Sequence, residues 1–119
     1  PTSTLRWLII AALDGPVEVD HFLAWSRWPN DAVENLVAAD RCNTMKSSHL
    51  AAGIHVDRWR DRFDRSAGDL ALVAAGAGWV SDPARSLALV RSTYGHVVAD
   101  TRLWVEDRTF ERADGPLAV

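Results

Sequence analysis

The chain has 119 residues, 48% of them apolar and 24% charged, with a formal net charge of −3. That length suits one domain over 1–119, able to bury roughly two-thirds of its unfolded surface without disulfide staples, and the composition excludes disorder as the default. The negative balance excludes a global attraction to nucleic acid or anionic lipid, so a nucleic-acid role would need a local patch.

In chain order, Leu5 to Leu13 is an apolar run closed by Asp14-Gly15-Pro16, which reads as a strand buried on both faces, with a buried helix as the competing reading. Val17 to Trp28 reads as a helix, with Phe22 and Trp25 on one side and Pro29 stopping or kinking it. Asn30 or Asp31 then caps a continuation in which Val33, Leu36 and Val37 share a face. Arg41 to Leu50 alternates weakly and is assigned a strand that Gly53 ends. Asp57 to Arg65 carries Trp59 and Phe63 four apart among alternating charges, as a short surface helix does.

Asp69 to Ala75, running into Gly76-Ala77-Gly78-Trp79, is expected to be a central strand with glycines that admit a close approach; a helix with a glycine C-cap is the alternative. Asp82 and Pro83 are the cap and first residue of a helix bearing Leu87, Val90, Tyr94 and Val97, with Gly95 marking its end. Leu103 to Phe110 is the last long strand, Arg112 to Gly115 a turn, and Pro116 to Val119 a short return.

That order is the βαββαβ pattern of an α+β, ferredoxin-like sandwich. A first strand apolar on both faces needs cover on the side away from the helices, which predicts a homodimer paired sheet to sheet. The alternative is a mostly α winged-helix: Leu5 to Leu13, His21 to Trp28 and Asp31 to Cys42 as helices, and Leu103 to Val119 as the wing. Arg85, Arg91 and Arg102 would then face DNA.

Leu5 to Pro16, Glu18 to Trp25 and Val98 to Asp107 together resemble the EthD-type group of the dimeric α+β barrel superfamily. Where such proteins carry His and Pro together after the first helix, this sequence has Arg27-Trp28-Pro29. The resemblance implies a homodimer with a pocket between sheet and helices. Some barrel-type cyclases similar to this layout place a His and Tyr in that pocket, which implies His96 as general base and Tyr94 as hydrogen-bond donor to a developing enolate.

Six tryptophans are many for this length, and each buries a large apolar area while its indole N–H wants a partner. Trp7, Trp25, Trp28 and Trp79, with His49, are the candidate ligand-binding residues. His49, His55 and Asp57 match no recognised zinc spacing, and no metal or other cofactor is expected. Cys42, the single cysteine, cannot form an internal disulfide. No secretory leader pattern opens the sequence, and its longest apolar stretch falls well short of the ~20 residues that span a bilayer, so a cytoplasmic setting without membrane contact is expected.

These readings point to a small-molecule-binding protein, or a cofactor-independent enzyme of cyclase, isomerase or lyase type, acting on an apolar aromatic or polyketide-like ligand. The alternative is a winged-helix DNA-binding transcriptional regulator, against which the acidic net charge counts. Whether the chain is an enzyme is left open.

Overall fold

The computed structural model of the chain describes residues 18–24, 27–39 and 49–119. Strand β1 (Glu18–His21) pairs antiparallel with β2 (Leu36–Ala39), with Glu18 opposite Ala39 and His21 opposite Leu36. A 3-10 turn, Val33–Asn35, leads into β2. Two helices come next, α1 (Gly53–Ala77) and α2 (Pro83–Gly95), and then the hairpin of β3 (Arg102–Glu106) and β4 (Thr109–Arg112). The protein is α+β, with two two-stranded antiparallel sheets among the described residues. Ahead of α1, Leu50 to Ala52 runs parallel to β3: the Trp104 N–H donates to the Leu50 carbonyl, and the Ala52 N–H to the Trp104 carbonyl, each at 2.8 Å.

Over the described residues the element order differs from βαββαβ for reasons visible in the side chains. The segment from Val17 to Trp28, expected as a helix, contains β1 instead. Just past β1, the Leu23 N–H and C=O are both engaged by the Asn35 side chain, at 2.8 and 3.1 Å, so they are not available to helical partners. Leu36 and Val37, expected on a helix, lie in β2. Neither Asn30 nor Asp31 caps a helix: the segment is a three-residue 3-10 turn whose N-cap is Ala32 with no side-chain cap bond, and the Asn30 Oδ1 accepts from the Ala32 N–H at 3.1 Å ahead of it.

Asp69 to Ala75, expected as a strand, is the C-terminal part of the 25-residue helix α1. Val56, Trp59, Leu70 and Ala74 are its buried positions, all on one helical face. Alanine and leucine dominate the later turns, and both are strong helix formers. Gly78 ends the helix in the left-handed conformation, φ 72°, which costs glycine nothing and lets the Trp79 N–H reach back to Ala74 at 2.8 Å. On the exposed side, Arg60–Asp64 and Asp61–Arg65 form ion pairs one turn apart.

Helix α2 starts as its sequence implies, with Asp82 accepting from the Arg85 N–H at 3.1 Å and Pro83 in the first turn. The last turn of the chain's sheet structure lies at Asp107-Arg108 and not at 112–115; Asp107 takes φ 44°, a left-handed conformation that Asp tolerates better than most residues. The helices proposed for the winged-helix alternative over His21 to Trp28 and Asp31 to Cys42 are likewise replaced, over their described residues, by strand and turn. The strand expected from Leu5 to Leu13, and with it the twice-apolar face that predicted sheet-to-sheet pairing, lies outside the described residues, as does most of Arg41 to Leu50.

The main core gathers Phe22, Leu23, Leu50, Ala51, Ala52, Val56, Trp59, Val90, Tyr94, Val97, Leu103 and Ala113. A column of rings runs through it. Tyr94 and Phe22 stand 6.2 Å apart, Phe22 and Trp59 5.5 Å, and Trp59 and Phe63 5.3 Å, all near parallel. The stack ties α2, the end of β1 and α1 together through large apolar areas. A smaller cluster of Val33, Leu70 and Ala74 closes the other end, with Leu36 and Trp79 packed against it. No described helix is long and apolar enough to cross a membrane.

Candidate functional site

The C-terminal hairpin builds an open groove lined by Arg102, Arg108, Phe110, Glu111 and Arg112. The strand period of two places three of its members, Arg102, Phe110 and Arg112, whereas Arg108 belongs to the turn and Glu111 alternates to the opposite face. Arg102 pairs with Arg112 and Trp104 with Phe110, so these four side chains share one face, while Leu103 and Glu111 occupy the other. The middle of the hairpin is anchored on both faces. Leu103 enters the main core, and Trp104 stacks on His55 of α1 at 5.1 Å while its indole N–H donates to the Asp107 carbonyl at 3.0 Å. His55 is itself fixed, its Nε2–H donating to the Val105 carbonyl at 2.6 Å. The outer end of the face is left to the groove.

There Phe110 is half-buried and meets two partners. The Arg102 guanidinium lies over the ring at 4.3 Å from its centre, and His49 meets the ring at 4.8 Å and a 60° tilt. Arg102, Arg108 and Arg112 are exposed, as is Glu111. The lining of the groove itself carries three cations against one anion, while Glu106 and Asp107, also exposed, lie beside it in the same hairpin.

A second polar cluster is buried and structural. Glu34 is 1% exposed, and its carboxylate accepts from the Ser81 hydroxyl and the Asp82 N–H, both at 2.7 Å. The carbonyl of Glu34 accepts from the Trp59 indole N–H and from Arg62, which also donates to the Leu36 carbonyl. Burial pulls the Arg62 pKa down to about 10, against the nearby Glu34 charge that supports protonation. Asn30 and Asn35 complete the cluster: Asn35 donates to the carbonyls of Leu23 and Asn30, and Asn30 donates to Ser86 of α2. Together these bonds brace the loop between β1 and β2 and hold it onto the helices, with the buried Arg62 Nε left without a partner.

The candidate residues from the sequence are spread over several environments. Tyr94 is fully buried, and its hydroxyl donates to the Ala51 carbonyl at 2.7 Å. His96 is exposed at the end of α2, with Nδ1 donating to the Ser92 carbonyl at 2.6 Å, so the two do not face a common cleft. Trp28 packs on the main core with the Arg27 guanidinium 4.6 Å from its ring centre, whereas Trp79 belongs to the smaller cluster. Of the described members of that set, His49 adjoins the groove. Trp7 and Trp25 lie outside the described residues. Among the described residues no three His, Cys, Asp or Glu side chains come together as metal ligands.

No family model, curated protein or solved structure matches the chain. Arg102 stands out in the sequence only as part of a DNA-reading alternative, and Arg108, Phe110 and Arg112 do not stand out at all. The available signal is the alternation Arg102-x-Trp104 and Phe110-x-Arg112 about a two-residue turn, which places arginines and aromatic rings on one face.

Proposed function

We propose that this chain is a non-catalytic nucleic-acid-binding domain whose contact surface is the groove of the C-terminal hairpin. The observation that carries the reading is the gathering of Arg102, Arg108 and Arg112 round the half-buried Phe110. Arginines supply the phosphate contacts that dominate affinity for a polyanion, and an aromatic ring beside them gives a base a surface to lie on. The groove is the local patch that an acidic chain needs for such a role.

The small-molecule reading, and the cyclase-type chemistry that the barrel resemblance implies, draw less support. An apolar ligand is held in a concave, mostly apolar pocket, whereas this groove is open and charged, and Trp28 and Trp79 sit in separate packing clusters. Tyr94 has its hydroxyl committed to a backbone carbonyl in the core, away from the exposed His96.

The reading is tested by fluorescence anisotropy of labelled oligonucleotides, single-stranded and duplex, at low salt. The wild-type chain is expected to bind at least one of them, and a variant carrying Arg102→Gln, Arg108→Gln and Arg112→Gln to lose that binding while keeping its circular dichroism. Equal binding by the triple variant, or no binding by the wild type, rejects the groove as a nucleic-acid surface.

A further inference from the structure

We infer, resting on the nucleic-acid reading of the same groove, that its ligand is a single strand, held by stacking of a base on the outer face of the Arg102 guanidinium. The geometry has two parts. First, the Arg102 guanidinium lies over the Phe110 ring and His49 meets the same ring at a 60° tilt, so Arg102 is the exposed member of a group of three. A long side chain that ordinarily samples many rotamers is set over a ring here, and a guanidinium plane is one of the surfaces on which unpaired bases stack. Second, Arg108 and Arg112 line the same groove and carry no ring partner there; they are placed to meet the phosphates on either side of the stacked base.

A duplex fits this surface poorly. A two-stranded ribbon reads a major groove by entering it. This ribbon is not free to do so, because Trp104 on one face is packed on His55 of α1 and Leu103 on the other is in the core. Only its outer end is open. Strands of five and four residues span roughly 13–17 Å. That length suits a few nucleotides of extended single strand. The competing duplex surface is the exposed side of α2, where Arg85 and Arg91 lie, although Arg91 donates to the Val119 carbonyl at 3.0 Å.

The experiment compares four labelled probes: a single-stranded oligothymidylate of about 12 nucleotides, a size within the usual range of single-strand sites, an abasic strand with the same number of phosphates, a duplex of the same length, and an inorganic polyphosphate. The oligothymidylate is expected to bind roughly ten-fold or more tighter than the abasic strand, since one stacked base contributes on that scale, and tighter than the duplex. Arg102→Lys keeps the charge but loses the plane, and is expected to lower oligothymidylate affinity several-fold while leaving polyphosphate binding within two-fold, roughly. Equal binding of the strand with and without bases, or an unchanged Arg102→Lys variant, overturns stacking on Arg102. Preference for the duplex, abolished by Arg85→Gln with Arg91→Gln, overturns the single-strand assignment but leaves nucleic-acid binding standing. If none of the four probes binds, the parent reading fails with it.

Discussion

The guanidinium carbon of Arg102 sits 4.3 Å from the centre of the Phe110 ring, on the diagonal of the hairpin, since Arg102 itself pairs with Arg112 and Phe110 with Trp104. Diagonal neighbours across an antiparallel pair are within reach only of long or aromatic side chains. The contact is solvent-exposed on the arginine side, where a cation over a ring is worth about 0.5–1 kcal/mol. A double-mutant cycle of Arg102→Ala and Phe110→Ala, read by denaturant unfolding, should return a coupling of that size, with Phe110→Ala the costlier single change because it also removes the ring that backs on His49. A coupling indistinguishable from zero would mean that Arg102 is not held over the ring in solution.

Tyr94 carries a polar group into the main core. Its hydroxyl donates to the Ala51 carbonyl at 2.7 Å in the main core, so Tyr94→Phe leaves that buried carbonyl without its partner. The expected cost is about 1–3 kcal/mol. Burial raises the phenol pKa well above its ordinary 10.0, outweighing the bond to Ala51, which acts the other way. The neutral phenol is thus the folded form, and its stabilisation is complete below pH 10 and declines as pH rises above that, where the unfolded chain ionises and the folded chain does not. Arg62 contributes a slope of opposite sign in the alkaline range, because burial lowers its folded pKa to about 10. The comparison with Tyr94→Phe cancels it: the stability gap between the two proteins should be flat from neutral pH to about pH 9 and shrink at higher pH. A gap that widens would reverse the assignment.

Asn35 holds the other critical set of bonds. Its side chain accepts from the Leu23 N–H and donates to the carbonyls of Leu23 and Asn30, and it is 1% exposed. Asn35→Ala strands three buried backbone groups, each worth about 1–3 kcal/mol when left unpaired. The sum is a large part of the ~5–15 kcal/mol that stabilises a domain of this size. Urea unfolding should therefore show a midpoint shift larger than that of any single surface substitution on α1. Asn35→Asp should be no better, since a carboxylate has no donor for the two carbonyls and brings an uncompensated buried charge.

How far the sequence reveals this fold depends on the segment. Asp82-Pro83 states a helix start in purely local terms, a side-chain cap followed by a residue whose φ is preset, and α2 begins there. The Trp59 and Phe63 pair is enough to place a helix but not to give its length. The apolar run after Asp69 reads as a strand when taken alone; only the continued spacing from Val56 and Trp59 to Leu70 and Ala74 reveals that one helical face passes through it. β1 and β2 are harder still, because they are set by the long-range engagement of Leu23 by Asn35, and a side-chain amide spanning twelve residues leaves no periodic trace. The groove is half legible. Its arginines and Phe110 are there to be read, but their convergence depends on where the hairpin turns. Asp107 adopts a left-handed conformation at a position where the Asp-Gly pair at 114–115 gives the stronger local signal.

The roles assigned within the groove separate in their salt dependence. An arginine that meets a phosphate displaces counterions, and for single strands each such contact adds about −0.7 to the slope of log affinity against log salt. Stacking displaces none. With Arg108 and Arg112 on phosphates and Arg102 on a base, oligothymidylate binding should show a slope near about −1.4, twice the single-contact value. Arg108→Gln and Arg112→Gln should each make it shallower by about 0.7. Arg102→Gln should lower affinity at every salt concentration with little change in slope, because the loss is of a plane more than of a phosphate contact. If the Arg102 variant flattens the slope as much as the Arg108 variant does, Arg102 is a third phosphate contact, and the base must find its platform elsewhere on the hairpin.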